Sequence, residues 1–467
     1  MKNKLNVFVN QFKVGELWLD DQGRFCFQYC EPWLNNPNNQ RLSISLPLRG
    51  EPFLKDSSYA YFTNLLPEGK ILSVLSRNLG ISDNDYFGLL KAIGGDCAGA
   101  VSLHLAGVMP SEKRTYSYEA LTEDLLLQKL KGLRDNPFLS VEERRMSLAG
   151  AQEKLPVYLK GNQILLPVDG APSTHIVKTP IQDLQGTVIN ETYCMMLAKR
   201  MGLEVPEVKI HKIGDLSVYM IRRYDRIIAG EKVVRVVQED FCQALKVNSQ
   251  QKYDPTLQDY FGLIKKECTD PIVDSRKLFN LIIFNGLIGN ADGHAKNISL
   301  IHDQKGTRLA PFYDLLSTHI YRDFTKKMPG KIAGKKRNFL HLKQKHFRAL
   351  GHEIGIKPNI VIKTAIDMSE KILEASRETT AEFKSLYNTI SIVDQINRII
   401  KNHADTMIQE LSPKKYNYLR ASQQFAKFGL CFFEDIPFAS YHYIGRLSFI
   451  FKYIVTLLKI FPEAIPF

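Results

Sequence analysis

No two of the seven cysteines (Cys26, Cys30, Cys97, Cys194, Cys242, Cys268, Cys431) stand at CxxC spacing, and their number is odd. That excludes a zinc knuckle or a dithiol redox pair read from spacing, and it leaves no even set for a disulfide framework. Cys26 and Cys30 would share one face of a strand, but two sulfurs are not a metal site. The stretch Met1 to Asn6 has no apolar core of signal-peptide length, so the body of the protein is expected to stay in the cytoplasm with reduced thiols. The compositional bias of a disordered chain is also missing, because hydrophobic residues make up 44% and charged residues 24%. Negative charge is in deficit. The formal charge of +13 suggests an anionic partner such as nucleic acid, a nucleotide or an acidic protein. At 467 residues the chain is long enough for two or three domains.

The most informative stretch is Gly289-Asn290-Ala291-Asp292-Gly293-His294-Ala295-Lys296-Asn297. It sets a carboxylate and an amide five positions apart, after an apolar helical run (Leu278 to Ile288) and before a hairpin (Ile298 to Ile301 and Arg308 to Ala310). A second carboxylate, Asp314, leaves the hairpin where it can return beside the loop. Phosphoryl transfer needs one carboxylate for the attacking hydroxyl, and an amide with a further carboxylate for Mg²⁺ on the nucleotide oxygens. Asp292, Asn297 and Asp314 suit those roles. Asn, Asp and Gly are also the commonest turn formers, so the loop alone leaves a plain turn open.

Residues 4 to 31 alternate apolar and polar side chains, which predicts a small antiparallel sheet. Leu42 to Leu46 predicts a further strand, and Tyr61 to Gly69 opens a helical region. Gly94, Gly95 and Gly99 suit a tight turn before Val101 to Leu103, or less readily a phosphate cradle. Ser147-Leu148-Ala149-Gly150-Ala151-Gln152-Glu153-Lys154 is rich in small residues that let backbone N–H groups close on phosphate, although the Gly-Lys-Ser/Thr of a Walker A loop is absent. Thr174 to Thr179 is a strand with one lysine, Lys178, which either holds phosphates or protects a sheet edge. The following helix, Asn190 to Met201, carries Glu191, a partner for Lys178 or a solvated first-turn acid. Val218 to Tyr224 is a strand running into a polar segment, placed where a kinase would hinge its two lobes, Val236 to Cys242 starts a helical region, Lys326 to Arg337 is a basic mobile loop, and Lys345 to Leu411 is helical.

Taken in order, seven motifs resemble the HipA-type serine/threonine kinases, toxins of bacterial toxin–antitoxin modules. They are Asn64 to Gly69, Gly94 to Leu103, Ser147 to Lys154, Thr174 to Lys178, Gln238 to Asp240, Asp292 to Asn297 and Phe312 to Asp314. The resemblance spans residues 4 to 411. It implies an α+β, two-lobed protein-kinase-like fold, with an N-terminal mixed sheet and helix subdomain (1–106), a kinase core (140–320) and an all-helical subdomain (321–411). It implies ATP and Mg²⁺ as cofactors, with Asp292 as catalytic base and Asn297 and Asp314 on the metal. Lys178 would contact the phosphates. Tyr313 would pack on adenine, beside backbone hydrogen bonds from Arg222 to Tyr224. Ala149, Gly150, Ala151, Gln152, Lys154, His294 and Lys296 complete the nucleotide site. Ser147 would be the autophosphorylated serine. The implied partners are a helix-turn-helix, HipB-like antitoxin, operator DNA reached mainly through it, and a translation-related protein substrate, an aminoacyl-tRNA synthetase among the targets. Arg222 departs from a glutamate common in the family's hinge, and Lys326 to Lys336 matches its basic loop only loosely.

A catalytically silent co-repressor and a small-molecule phosphotransferase are the competing functions. Intact Lys178, Asp292, Asn297 and Asp314 speak against the first, and the Ser147 loop and the extra amino-terminal domain against the second. Residues 412–467 lie beyond the resemblance. Leu447, Ile450, Phe451, Ile454, Leu458 and Phe461 recur at helical spacing there, opposite a narrow polar stripe. That run is too short, with two lysines, for a membrane span, and is expected to dock on protein or to be an incidental tail.

Overall fold

The period-two pattern at the start of the chain becomes β1 (Lys4–Val9), β2 (Phe12–Leu19) and β3 (Phe25–Tyr29), with Leu5, Val7, Val14, Leu17, Phe25 and Phe27 buried. The computed structural model describes residues 4–108, 116–133, 152–168, 170–230, 232–388 and 391–412. With β4 (Phe53–Leu54) and β5 (Val101–Leu105), the first three strands form an antiparallel sheet in the order β4-β3-β2-β1-β5. Helices α1 (Glu31–Leu34), α2 (Asp56–Thr63), α3 (Gly69–Leu79) and α4 (Tyr86–Ile93) complete this subdomain. Leu42 to Leu46 is not the expected strand. It is a turn with a single bridge between Ser43 and Leu46. A buried carboxylate from elsewhere organises it, because Glu239 accepts from the Ile44 N–H (2.8 Å) and the Ser43 hydroxyl. The glycine stretch at 94–99 also faces protein. Gly99 N–H donates to Asp225 (2.8 Å) and Gly99 O accepts from Arg226 (2.9 Å), so the turn joins the subdomain to the core rather than cradling an anion.

A second sheet has the order β10-β11-β9-β7-β8-β6. Its strands are β6 (Ser117–Ala120), β7 (Lys154–Lys160), β8 (Gln163–Val168), β9 (His175–Lys178), β10 (Val208–Ile213) and β11 (Leu216–Arg222), flanked by α5 (Glu123–Gly132) and α6 (Thr187–Arg200). β9 lies between β7 and β11. Lys178 therefore does not guard an edge. A hairpin of β12 (Arg226–Ala229) and β13 (Lys232–Arg235) leads to β14 (Val237–Asp240), which pairs with β15 (Ser299–Asp303), itself paired with β16 (Gly306–Leu309). The helix expected from Val236 starts only at Phe241, as α7 (Phe241–Leu245). Asp240 and Gln243 cap it reciprocally at 2.9 Å, which fixes the strand-to-helix boundary.

The lower lobe is built on α8 (Leu257–Glu267) and α9 (Pro271–Ile288). Lys326 to Arg337 is not a loop but the hairpin β17 (Lys327–Ile332) and β18 (Lys335–Asn338), whose turn residues Ala333 and Gly334 are both left-handed. That backbone pair suits the right-handed twist of a two-residue hairpin, and Met328 and Ile332 are buried beneath the lysines. Helices α10 (Gln344–Ile354), α11 (Pro358–Tyr387) and α12 (Ser391–Leu411) close the lobe, as the helical periodicity predicts, but with the hairpin before them the segment 321–411 is not the all-helical subdomain expected. The architecture is thus the expected two-lobed α+β fold, and its largest core runs from α6 through α9 to α12. No helix among the described residues is long and apolar enough to cross a membrane. Residues 413–467, with the apolar helical run expected there, lie outside the described residues.

Candidate functional site

The helix that leads into the loop, α9, is fixed at both ends. Asp270 accepts from Val273 N–H (3.1 Å) to cap the helix start, where Pro271 needs no donor. Gly289 ends the helix in the left-handed region (φ 69), and a Cβ there would also come within 2.8 Å of His319. Ala291 N–H then donates to Thr318 Oγ1 (2.9 Å), Asp292 N–H to Asn290 Oδ1 (3.0 Å) and Asn297 Nδ2 to Asp292 O (3.0 Å). The five-residue spacing therefore closes into a compact loop that turns Asp292 outward, with its side chain 47% exposed. Oδ1 of Asp292 accepts from the Tyr253 hydroxyl and lies 3.9 Å from His294 Nε2. Burial pushes His294 down to about 4, so the ring is neutral at physiological pH.

Opposite this loop, the Lys178 ammonium is buried between Glu191 Oε1 (2.7 Å) and Asp314 Oδ1. Burial would lower Lys178, but Asp314 and Glu191 outweigh it and hold the ammonium charged. One ammonium serves two carboxylates, and they diverge. Against its own burial, Asp314 is held well below the usual range by Lys178 and then Lys154. Glu191, more deeply buried, is lifted by that burial to about 7 against the pull of Lys178. Half-buried Lys154, paired in register with Lys178 across β7 and β9, is pushed down by burial to about 8 despite Asp314. Asp314 itself adopts a left-handed backbone (φ 54).

Tyr313 donates to Lys296 O (2.9 Å), shares a hydrogen bond with Ser299 (2.7 Å) and stacks on Tyr224 (centroids 5.7 Å apart, planes at 19°). Tyr224 in turn donates to Gln238 (2.6 Å). Two of the three hinge N–H groups are already engaged, Arg222 with Glu207 O and Arg223 with Thr174 O, each at 2.9 Å. The Arg222 side chain is exposed, 3.7 Å from Glu207. These parts surround one cleft of about 370 Å³, lined among others by Gln152, Lys154, Lys178, Asp292, Asn297 and Asp314. Gln152 is anchored by donating to Thr179 O (3.1 Å). Ser147, Ala149, Gly150 and Ala151 lie outside the described residues.

Lys296 lines the same cleft from a buried position, where it is already engaged. Its ammonium is buried against Glu68 Oε1 (2.8 Å) and against Asn64 O and Oδ1 (3.1 and 3.0 Å), with Asp240 at 3.9 Å. Glu68 also binds Lys252 (2.9 Å), and these two lysines overcome burial to hold its carboxyl below the ordinary value. Burial lifts Asp240 to about 6 against Lys296. The roles of Glu68, Asn64, Lys252 and Tyr253 were not read from sequence. A polar pair inside an apolar run, Asn64 and Glu68 around Leu65 and Leu66, was the available signal; Lys252 and Tyr253 look like ordinary loop residues.

Residues 5–104 match the HipA N-terminal domain model, and residues 146–376 the HipA-like C-terminal domain model. A Sinorhizobium fredii protein named as a kinase, Y4mE, is 37% identical over 396 residues, covering 82% of this chain and 93% of that protein. The serine/threonine-protein kinase toxin HipA of Shewanella oneidensis is 29% identical over 394 residues, covering 80% and 88%. The solved complex of Shewanella oneidensis HipA, HipB and operator DNA superposes with a TM-score of 0.74 at 26% identity, over 86% of this chain and 96% of that one.

Proposed function

Because the chain belongs to the HipA family of toxin–antitoxin kinases, we propose that it is an ATP- and Mg²⁺-dependent serine/threonine-protein kinase. The observation that carries this reading is the juxtaposition of Lys178, buried between Glu191 and Asp314, with Asp292 and Asn297 across one cleft. Asp314 and Asn297 offer hard oxygen donors, and Asp314 stays ionised; a site with few protein oxygens suits Mg²⁺, which keeps waters and takes its remaining ligands from phosphate. Bound nucleotide and metal would supply the transferable phosphoryl group and neutralise its developing charge. Lys178 and Lys154, with Gln152 and the loop residues Ala149, Gly150 and Ala151, would hold phosphate oxygens. Tyr313 on Tyr224 would floor the base, with Tyr224 N–H and the carbonyls of Arg222 and Arg223 left for its edge. Asp292 would orient the acceptor hydroxyl and take its proton. Neutral His294 lines the same wall, and Lys296 would act by fixing the loop.

Ser147 would be the autophosphorylation site; about 1.5 to 2 negative charges added beside the nucleotide's phosphates would repel them and silence the enzyme. The partners would be a helix-turn-helix, HipB-like antitoxin, with operator DNA bound through it, and a translation-related protein such as an aminoacyl-tRNA synthetase. Purified protein incubated with labelled ATP and cell lysate tests the activity. Asp292→Ala should lose about 10²-fold or more of the transfer while keeping its circular dichroism spectrum. Full activity of a folded variant, or phosphate found by peptide mapping only at residues other than Ser147, would refute the corresponding assignment.

A further inference from the structure

Asp292 sits on a loop with its carboxylate half in solvent, so nothing in its own backbone fixes which oxygen meets an acceptor hydroxyl. Tyr253 supplies that constraint. Its hydroxyl donates to Oδ1, which leaves Oδ2 for a second hydrogen bond. The phenol is itself held on several sides. Its ring meets His294 edge to face (5.0 Å, 87°), and Lys336 of β18 stands 5.2 Å over the ring. The preceding residue is tied to the same loop, since Lys252 O accepts from Ala295 N–H (3.1 Å). Lys252 Nζ reaches Glu68 (2.9 Å), whose other oxygen holds Lys296 (2.8 Å). Glu68 thus clamps both the catalytic loop and the segment that carries the phenol, and it comes from the first subdomain. Burial and Asp292 both push the phenol's ionisation up, so it remains a donor throughout the working pH range.

We propose that Tyr253 is a positioning residue for the Asp292 carboxylate, and that Glu68 of the amino-terminal subdomain sets its place through Lys252 and Lys296. This rests on the kinase reading. The opposite reading of the same contact is that the phenol occupies the seat of the acceptor hydroxyl and competes with it. Full-length wild type, Tyr253→Phe, Glu68→Gln and the double variant would be compared in single-turnover autophosphorylation across ATP concentrations. Affinity for Mg²⁺ and a non-hydrolysable ATP analogue would be read by calorimetry, and folding by thermal melting. Tyr253→Phe should slow transfer about 10- to 100-fold, as a misaligned reacting group does, with analogue affinity and melting temperature unchanged. Glu68→Gln should slow it less, and the double variant should be no slower than Tyr253→Phe, because both act through one contact. An active wild type with Tyr253→Phe equally fast or faster overturns the proposal alone, the faster outcome favouring competition. Additive losses overturn the link to Glu68. A wild type that transfers no phosphate to itself or to lysate proteins overturns the kinase reading, and the positioning role with it.

Discussion

Replacing Glu191 with Gln tests the sharing of one ammonium between two carboxylates. Gln keeps the size of the side chain and an oxygen to accept from Lys178, but it cannot ionise. In the wild type the Glu191 carboxyl is raised from 4.5 to about 7, so between those pH values the folded protein holds a proton that the unfolded chain has released. Stability from this group is therefore fully present below about pH 4.5 and is lost as pH rises to about 7. The raised value corresponds to about 3 kcal/mol across the window, at about 1.4 kcal/mol per pH unit. Glu191→Gln removes that slope. Its stability relative to wild type should rise with pH by up to about 3 kcal/mol between pH 4.5 and 7.5, then level off. Both Trp18 and Trp33 belong to the first sheet and its flanking helix, so tryptophan fluorescence would miss the core; urea unfolding followed by far-ultraviolet circular dichroism is the suitable assay. Parallel curves for the two proteins over the window would refute the sharing, since Glu191 would then be ionised throughout beside Lys178.

Three further outcomes are expected. Nucleotide affinity should fall by up to about tenfold per pH unit above pH 8, as Lys154 loses the proton that phosphate binding requires; titrations at pH 7 and 9 should show this in wild type and not in Lys154→Met. Gly286→Ala should lower the melting temperature by several degrees, because its Cβ would lie 1.9 Å from the Phe339 ring, and such overpacking costs about 1–3 kcal/mol. Truncation after Ser412 should leave autophosphorylation intact, since α12 ends with Leu411 already buried in the core; a soluble, folded, inactive truncation would contradict this.

Much of the fold is legible because local pattern and tertiary burial agree. The alternation over 4–31 and the helical period over 345–411 mark the face that is buried, and the near-continuous apolar run over 278–288 marks a helix buried on all sides. Disagreement arises where a distant polar group decides. Leu42 to Leu46 has strand composition, but Glu239 bends it into a turn, and no local signal announces a partner almost two hundred residues away. The Lys326 to Arg337 run looks solvated because its charges mask Met328 and Ile332, the pair that seats the hairpin. At the site, Asp292, Asn297, Lys178 and Asp314 stand out by residue type and spacing, and the fold brings them to one cleft. Lys296 shows the limit of spacing. Five residues from Asp292 to Asn297 say nothing of which way an intervening side chain turns, and the carboxylate that captures it belongs to another subdomain.

The left-handed backbone at Asp314 bears on how this cleft can be dissected by mutagenesis. Aspartate and asparagine enter that region readily, whereas a residue without a short polar side chain meets a steric penalty of about 1–2 kcal/mol. An alanine scan would therefore confound two losses at this one position, the carboxylate and the turn that aims it. Asparagine leaves the turn in place while deleting the charge, and glycine deletes the side chain while leaving the turn relaxed. Ranking Asn, Gly and Ala at 314 separates electrostatics from backbone geometry within one residue, where the usual single substitution would merge them.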